Sequence, residues 1–367
     1  MRWFDAERAN LTAAVAHALH TGNYQHARGL AECVARYLSW RRYLADGITV
    51  ATHAVAAART LGQPQITASA LTNLGNTLLE VRRLQDAINA QGAAVEIFRV
   101  TGDRRGEGSA LNNLGNTLVE VRRFDDAINA YHAAAEIYRE THDRHSEAMA
   151  LNNLGNSLRN VRRCDDAINA HQEAAEILRE TGDRTGEGAA LNSLGLVLRD
   201  MQRYDDAINA HQEALEIHRE THDRHGEAMA VNNLGSALRN AWRYDDAINA
   251  HQEAAEIHRE SDDRHGEGSA LNNLGLALQG AQRYDDAMNA HHGAVDIFRE
   301  TGDRHREGLV LKNLGRALRN ARRYDDAQRT LGEAAEILDS TGDQESAAQV
   351  RRLLRDNGFD NEEGLPP

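Results

Sequence analysis

Two cysteines, Cys33 and Cys164, are all that the 367 residues contain, and no CxxC pair is among them. That argues against a disulfide framework and makes a reducing cytoplasm the expected setting. Aromatic residues are scarce as well, at 5% of a chain that is 41% hydrophobic. Alanine and leucine carry the apolar load, which suits closely packed helices. Lysine is nearly absent: Lys312 is the single one among 42 basic residues, set against 56 acidic ones, for a formal net charge of −14. Such a surface argues against nucleic acid or an anionic membrane as the main partner, because phosphate binding needs a basic face. No apolar run approaches the roughly 18 residues of a membrane span. The N-terminus lacks the basic-then-apolar order of a secretory signal. Catalytic motifs are missing too. There is no HExxH, no GxSxG and no EF-hand loop, and the one lysine is followed by Asn313, so no P-loop exists. The chain is expected to be non-enzymatic, without cofactor or metal.

What the chain does have is a period. Leu-Gly recurs at Gly75, Gly115, Gly155, Gly195, Gly235, Gly275 and Gly315, always 40 residues apart. An Asp-Ala step follows in phase, ending at Ala87, Ala127, Ala167, Ala207, Ala247, Ala287 and Ala327. A Gly-Asp-like break closes each unit, as at Gly102-Asp103, His142-Asp143 and Gly302-Asp303. Seven units therefore run over residues 65–344. Each reads as two helices of about 16 residues, or about 24 Å. In the second unit Leu111, Leu114 and Leu118 share one helical face. A second helix is predicted from Phe124, with Asp125 and Asp126 in its first turn, where acidic groups favour the helix dipole. Asp143 is placed to cap the helix that follows. A glycine inside a helix costs about 1 kcal/mol relative to alanine. Its recurrence predicts a close approach, with Gly115 admitting a helix backbone that presents Ala127 and Ala134.

Before the array, residues 1–64 read as helices that include one degenerate repeat: Asp5–Leu19, then Ala27–Leu38 paired with a helix inside Arg41–Gly62. After it, residues 345–357 form an expected capping helix with Val350, Leu353 and Leu354 on one side, since repeat arrays need a solvating end. Residues 358–367 form an acidic, loose tail.

Paired helices with Leu-Gly in the first and small alanines in the second resemble the tetratricopeptide repeat, or TPR. The usual period is 34 and this one is 40, a form similar to the repeats of Pins-type polarity adaptors and kinesin light chain. The resemblance implies an all-α, right-handed TPR solenoid of antiparallel helix pairs with a C-terminal capping helix. Two positions depart from the pattern. The aromatic usual early in the first helix is Leu71, Leu111 or Val231, and the one usual in the second helix is often histidine: His171, His211, His251 and His291. The opening segment, Trp3-Phe4-Asp5-Ala6-Glu7-Arg8-Ala9-Asn10-Leu11, is similar to the start of the TPR arm of bacterial STAND signalling ATPases.

In the resembling families the first helices line a concave groove that holds an extended peptide. The positions around each Leu-Gly are then the candidate peptide-binding residues: Asn73, Asn112, Asn113, Asn152, Asn153, Asn192, Asn232, Asn233, Asn272, Asn273 and Asn313 before it, and Asn76, Asn116 and Asn156 after it. A carboxamide offers a donor and an acceptor together, which matches a peptide bond. One turn further stand Glu80 and Glu120, then Arg159, Arg199, Arg239 and Arg319. The groove is therefore expected to be acidic near its N-terminal end and basic from Arg159 onward, which points to a ligand with acidic side chains in the C-terminal half of the groove. A second reading stays open, in which asparagines of adjacent repeats bond each other and tie the units together. At the level of the protein, the alternatives to a peptide-binding scaffold are a ligand-sensing regulatory arm of a larger STAND-type ATPase or defence protein, and a self-assembling structural repeat.

Eighteen histidines invite a metal reading. Yet His211 and His218, or His251 and His258, occupy places that hold Tyr131 and Tyr138 in another unit, so they are expected to be packing positions. Cys164, in the place of Phe124 and Tyr204, is expected to be a small buried residue. Glu173, Glu176 and Glu180 read as an outer face laced with arginines.

Overall fold

The computed structural model describes residues 2–355. Among the described residues there are eighteen α-helices and no strand: α1 (Arg2–His20), α2 (Tyr24–Trp40), α3 (Leu44–Thr60), α4 (Pro64–Glu80), α5 (Leu84–Thr101), α6 (Arg104–Glu120), α7 (Phe124–Glu140), α8 (Arg144–Asn160), α9 (Cys164–Thr181), α10 (Arg184–Asp200), α11 (Tyr204–Glu220), α12 (Arg224–Asn240), α13 (Tyr244–Glu260), α14 (Arg264–Gly280), α15 (Tyr284–Thr301), α16 (Arg304–Asn320), α17 (Tyr324–Ser340) and α18 (Gln344–Arg355). They fall into two compact units, Met1–Gly182 and Asp183–Pro367. The first holds α1 followed by the pairs α2/α3, α4/α5, α6/α7 and α8/α9. The second holds α10/α11, α12/α13, α14/α15, α16/α17 and α18. In α18, Ala347 and Val350 are buried. Residues 356–367, including the expected acidic tail, lie outside the described residues.

Local chemistry sets the helix boundaries. The aspartate of each break caps the next first helix: Asp103 Oδ1 accepts from the Gly106 amide at 2.9 Å, and Asp143 Oδ1 from the Ser146 amide at 3.2 Å. The same bond recurs at Asp223 and Asp263 in the second unit. Within a repeat the chain reverses through one residue at left-handed φ, such as Arg122 at 60° and Trp242 at 63°. The next residue is the N-cap of the second helix, and its side chain grips that helix's first turn. Arg123 Nε, for example, donates to Asp126 Oδ2 at 2.7 Å.

The core explains the shortage of aromatic rings. Ala87, Ala94, Ala127, Ala134, Ala167 and Ala174 are fully buried in the first unit, and Ala207, Ala214, Ala247 and Ala254 in the second. Small side chains at these places let neighbouring helices pack closely, with Leu, Ile and Val filling the remaining volume.

A charged latch joins consecutive repeats. Glu147, fully buried in the first turn of α8, accepts from Arg139 of α7 and Arg144 of its own helix, both at 2.8 Å. The two arginines reach onward to α9: Arg139 to Glu173 at 2.6 Å and Arg144 to Glu180 at 3.1 Å. Glu267 is held likewise by Arg259 at 2.7 Å and Arg264 at 2.5 Å, and Arg264 also meets Glu300. The expected outer face of glutamates and arginines is thus an ordered set of inter-repeat ion pairs. At the N-terminal end Asp5 performs a related task. It accepts from the Tyr37 hydroxyl at 2.7 Å, the Tyr43 hydroxyl at 3.1 Å and Arg41 at 3.0 Å, fixing α1 to α2 and to the turn before α3. These donors hold its carboxyl below the usual range, the Tyr37 hydroxyl foremost.

Candidate functional site: the face lined by first helices

Within each unit the first helices of successive repeats stand side by side, α4 against α6, α10 against α12, α12 against α14 and α14 against α16. The Leu-Gly steps lie at the middle of this face, and the glycine has a different partner from the one expected. A Cβ on Gly115 would stand 2.6 Å from the Tyr131 ring, not against the backbone beside Ala127. Each glycine receives the side chain sixteen residues on: Gln91 at Gly75, Tyr131 at Gly115, His171 at Gly155, His211 at Gly195, His251 at Gly235, His291 at Gly275 and Leu331 at Gly315. The helices approach because a side chain of the second helix fills the notch left by the missing Cβ.

That seat accounts for four histidines. His171, His211, His251 and His291 are fully buried, packing residues as their equivalence to Tyr131 suggests. His171 Nδ1–H donates to Asn152 Oδ1 at 2.8 Å, His211 to Asn192 at 2.8 Å and His251 to Asn232 at 3.0 Å. Nε2 of these three rings is buried without a partner. Burial, aided by a nearby arginine, pulls their pKa values down to about 4 for His171 and about 3 for His211 and His251. Burial likewise lowers His291 to about 4. All four rings are neutral at pH 7. Among the described residues no three His, Cys, Asp or Glu side chains gather as a metal site. Cys164 is half-buried rather than buried, because it sits on the first turn of α9, where the larger Tyr204 and Tyr244 of other repeats are also only half-buried.

The asparagines before each Leu-Gly form a chain of contacts along the face. In the first unit Asn153 Nδ2 donates to Asn112 Oδ1 at 3.3 Å. In the second, Asn233 donates to Asn192 at 3.2 Å, Asn273 to Asn232 at 3.2 Å and Asn313 to Asn272 at 3.0 Å. The inter-repeat struts left open by the sequence are therefore present. Asn113 lacks this bond because Thr72 stands where its acceptor would be. Each strut uses one oxygen and one N–H. In every bonded pair the NH2 of the accepting asparagine and the oxygen of the donating one are not used by the strut; Asn192, an acceptor, is buried, and the other strut asparagines are half-buried. The residues after Leu-Gly diverge. Asn76 and Asn116 turn their oxygens to their own second helix, accepting from Gln91 at 3.2 Å and Tyr131 at 2.6 Å, while Asn156 is exposed, as is Asn73 before the first Leu-Gly. Arg159, Arg199, Arg239 and Arg319 are half-buried on the same face. The expected acidic end is weaker than its sequence: Glu120 is paired with Arg82 at 2.5 Å.

Sequence reasoning overlooked two features of the repeat. One is the buried first-turn glutamate, whose sole local signal is an arginine three residues before it, as at Arg144 and Glu147, and whose partner on the preceding helix no local pattern marks. The other is the cross-repeat bond from the Thr117 hydroxyl to Gln91 Oε1 at 2.7 Å, which no periodicity announces.

Stacked antiparallel helix pairs, each locked by a small residue in the first helix and alanines in the second, define an all-α TPR solenoid. The chain belongs to the tetratricopeptide repeat family, whose model matches residues 66–140, 106–180, 146–220, 186–260, 226–291 and 266–340. No curated protein matches it. Among solved structures it is similar to a Signal Transduction ATPase with Numerous Domains (STAND) protein with a tetratricopeptide repeat sensor from Pyrococcus horikoshii. That likeness has 15% identity and a TM-score of 0.64, over 96% of this chain and 51% of that one, so the chain spans about half of that protein. It is also similar to aspartyl phosphate phosphatase F from Bacillus subtilis, at 12% identity and a TM-score of 0.62, over 89% of this chain and 93% of that one. A third is BtubC (BKLC) from P. vanneervenii, at 20% identity and a TM-score of 0.54, over 60% of this chain and 92% of that one. At these identities the likeness establishes the fold. No helix among the described residues is long and apolar enough to cross a membrane.

Proposed function

We propose that the protein is a non-catalytic, cytoplasmic scaffold that holds an extended peptide or protein segment along its first-helix face. One observation carries the reading. The struts Asn153–Asn112, Asn273–Asn232 and Asn313–Asn272 each leave an N–H group and a carbonyl oxygen on half-exposed side chains of the first-helix face, whereas Asn192, the acceptor of the fourth strut, is buried. An extended peptide presents the complementary pair on its backbone. A hydrogen bond nets about 0.5–1.5 kcal/mol, and micromolar affinity needs about 8 kcal/mol. Backbone contacts at Asn112, Asn113, Asn152, Asn153, Asn232, Asn233, Asn272, Asn273 and Asn313 therefore supply general holding, and side-chain pockets supply the rest. Struts and binding are compatible, because the struts pre-orient the carboxamides and reduce the ordering cost of binding.

The test is an arrayed random-peptide library probed with the native chain and with a variant carrying Asn113, Asn153, Asn233 and Asn273 as alanine. The reading expects peptide selection by the native chain and its loss in a variant that stays helical. If neither protein selects peptides and the variant only melts earlier, the asparagines are struts alone.

The fold likeness to a STAND protein with a TPR sensor, over 96% of this chain, favours a second reading, a ligand-sensing arm of a larger ATPase. A nucleotide-binding domain encoded in frame upstream in the native gene supports it, and its absence removes it. Self-association would appear as concentration-dependent light scattering.

A further inference from the structure

From α8 onward one repeat departs from the others where the first helix ends. At the last two positions of α8, α10, α12 and α16 stand Arg159-Asn160, Arg199-Asp200, Arg239-Asn240 and Arg319-Asn320, but α14 ends in Gln279-Gly280. Gln279 turns inward, its amide 2.7 Å from His291 Nε2 and 3.4 Å from the Asn313 carbonyl. Gly280 leaves a gap that the Tyr244 ring enters; a Cβ there would stand 2.1 Å from it. A pocket opens at this point, within the second unit, lined by Tyr204, Trp242, Tyr244, Arg239 and Arg316 over a floor of Gly280.

Its walls are unusual for this molecule. Trp242 is 77% exposed and occupies a turn position that holds arginine or glutamine in the other six repeats. Its ring meets that of Tyr244 edge-on, with centroids 6.1 Å apart. The pocket's charges are unusual too. On the latch side the arginines are paired with glutamates, as Arg259 and Arg264 are. Arg239, in contrast, is half-buried, its Nε is enclosed without a hydrogen-bond partner, and no carboxylate pairs with it among the described residues. Arg316 is exposed and has no ion pair there either. Loss of water around Arg239 and the charge of Arg199 beside it both work against its positive form. A half-buried guanidinium without a counter-ion is held at a cost that an anion would relieve, and its planar fork fits a carboxylate.

We infer that this pocket recognises a carboxylate side chain, aspartate or glutamate, of a bound peptide, with a neighbouring apolar or aromatic residue of that peptide resting on Trp242 and Tyr244. The inference rests on the peptide-binding reading above and assigns it a specificity-determining site. Net charge is consistent with the choice of occupant: on a chain at −14, unpaired arginines on one face concentrate the local attraction for an acidic segment.

The array's own repeats supply the variants. Gly280→Asn introduces the residue of Asn240 and Asn320, Arg239→Gln that of Gln279, and Arg316→Leu that of Leu196 and Leu276, so each substitution is one the fold already carries. The probe is a peptide array in which every Asp- or Glu-containing sequence is matched by its Asn or Gln counterpart. Two charge-assisted bonds predict a preference of about tenfold or more for the acidic member on the native chain. Gly280→Asn, and separately Arg239→Gln with Arg316→Leu, are expected to reduce that preference to near unity. Binding of the neutral peptides should persist in both. If the native chain binds peptides without preferring acid, or the variants keep the preference, this pocket is not the specificity site and the scaffold reading stands. If the native chain binds no peptide at all, both readings fall together.

Discussion

At Gly155 a missing Cβ and a buried ring explain each other. A glycine in mid-helix is unfavourable by itself, and a histidine ring in an apolar core is unfavourable by itself. Together they form a fitted contact whose polar atom is met by Asn152. The contact has a pH signature. The folded state keeps His171, His211, His251 and His291 neutral, with pKa values depressed to about 3–4, against about 6.5 in an unfolded chain. Between those values the unfolded state binds more protons, so the stabilisation is complete above pH 6.5 and is lost as pH falls toward 4. Thermal melts followed by circular dichroism should therefore drop steeply between pH 6.5 and 4.5. His251→Gln, which copies Gln91, should flatten that slope while retaining the fold. The glycines make a second prediction. Gly115→Ala should destabilise by roughly 1–2 kcal/mol, as overpacking of the Tyr131 ring outweighs the gain in helix propensity. Gly332→Ala, on a helical site with nothing within 4 Å of the new Cβ, should stabilise by about 0.4–1 kcal/mol. Denaturant titration distinguishes the two signs.

At the scale of the helix, boundaries come from short-range polar chemistry and stacking comes from the buried glutamate. The aspartate cap, the acidic first turn and the seven-fold phase were all legible in the sequence, because each involves residues three or four apart. The latch was not, because Arg139 and Glu147 are brought together only when two repeats stack. Its contribution can be measured. Glu147→Gln removes charge from a site held by two arginines that remain partly hydrated, and should cost about 1–3 kcal/mol. The loss should shrink when Arg139 and Arg144 are replaced as well, as a double-mutant cycle would show. Asp103→Ala, which removes the cap on the Gly106 amide without touching the latch, should cost about 1 kcal/mol.

For the molecule as a whole, near-identical repeats mean that stability is a sum of local terms and nearest-neighbour interfaces. Excision of residues 224–263, one full period, should leave a cooperatively folding protein. Its urea m-value should fall by about a tenth, in proportion to the surface removed. The excision deletes Arg239, Trp242 and Tyr244, so the same protein should lose any preference for acidic peptides.

The all-α class, the number and phase of the helix pairs and the family followed from the sequence alone, because a 40-residue period repeated seven times can be satisfied only by stacking like units. The candidate face was legible too, through the asparagines beside each Leu-Gly. What the sequence left open were relations between residues of different helices. Only the tertiary structure decided that the glycines seat side chains rather than a backbone, that the asparagines bond across repeats, and that Glu120 is already paired. Only there does the loss of one side chain at Gly280 become an opening beside an unpaired Arg239. Periodicity records which residues face the same way; which of them touch depends on the rotation and spacing of packed helices, which packing alone sets.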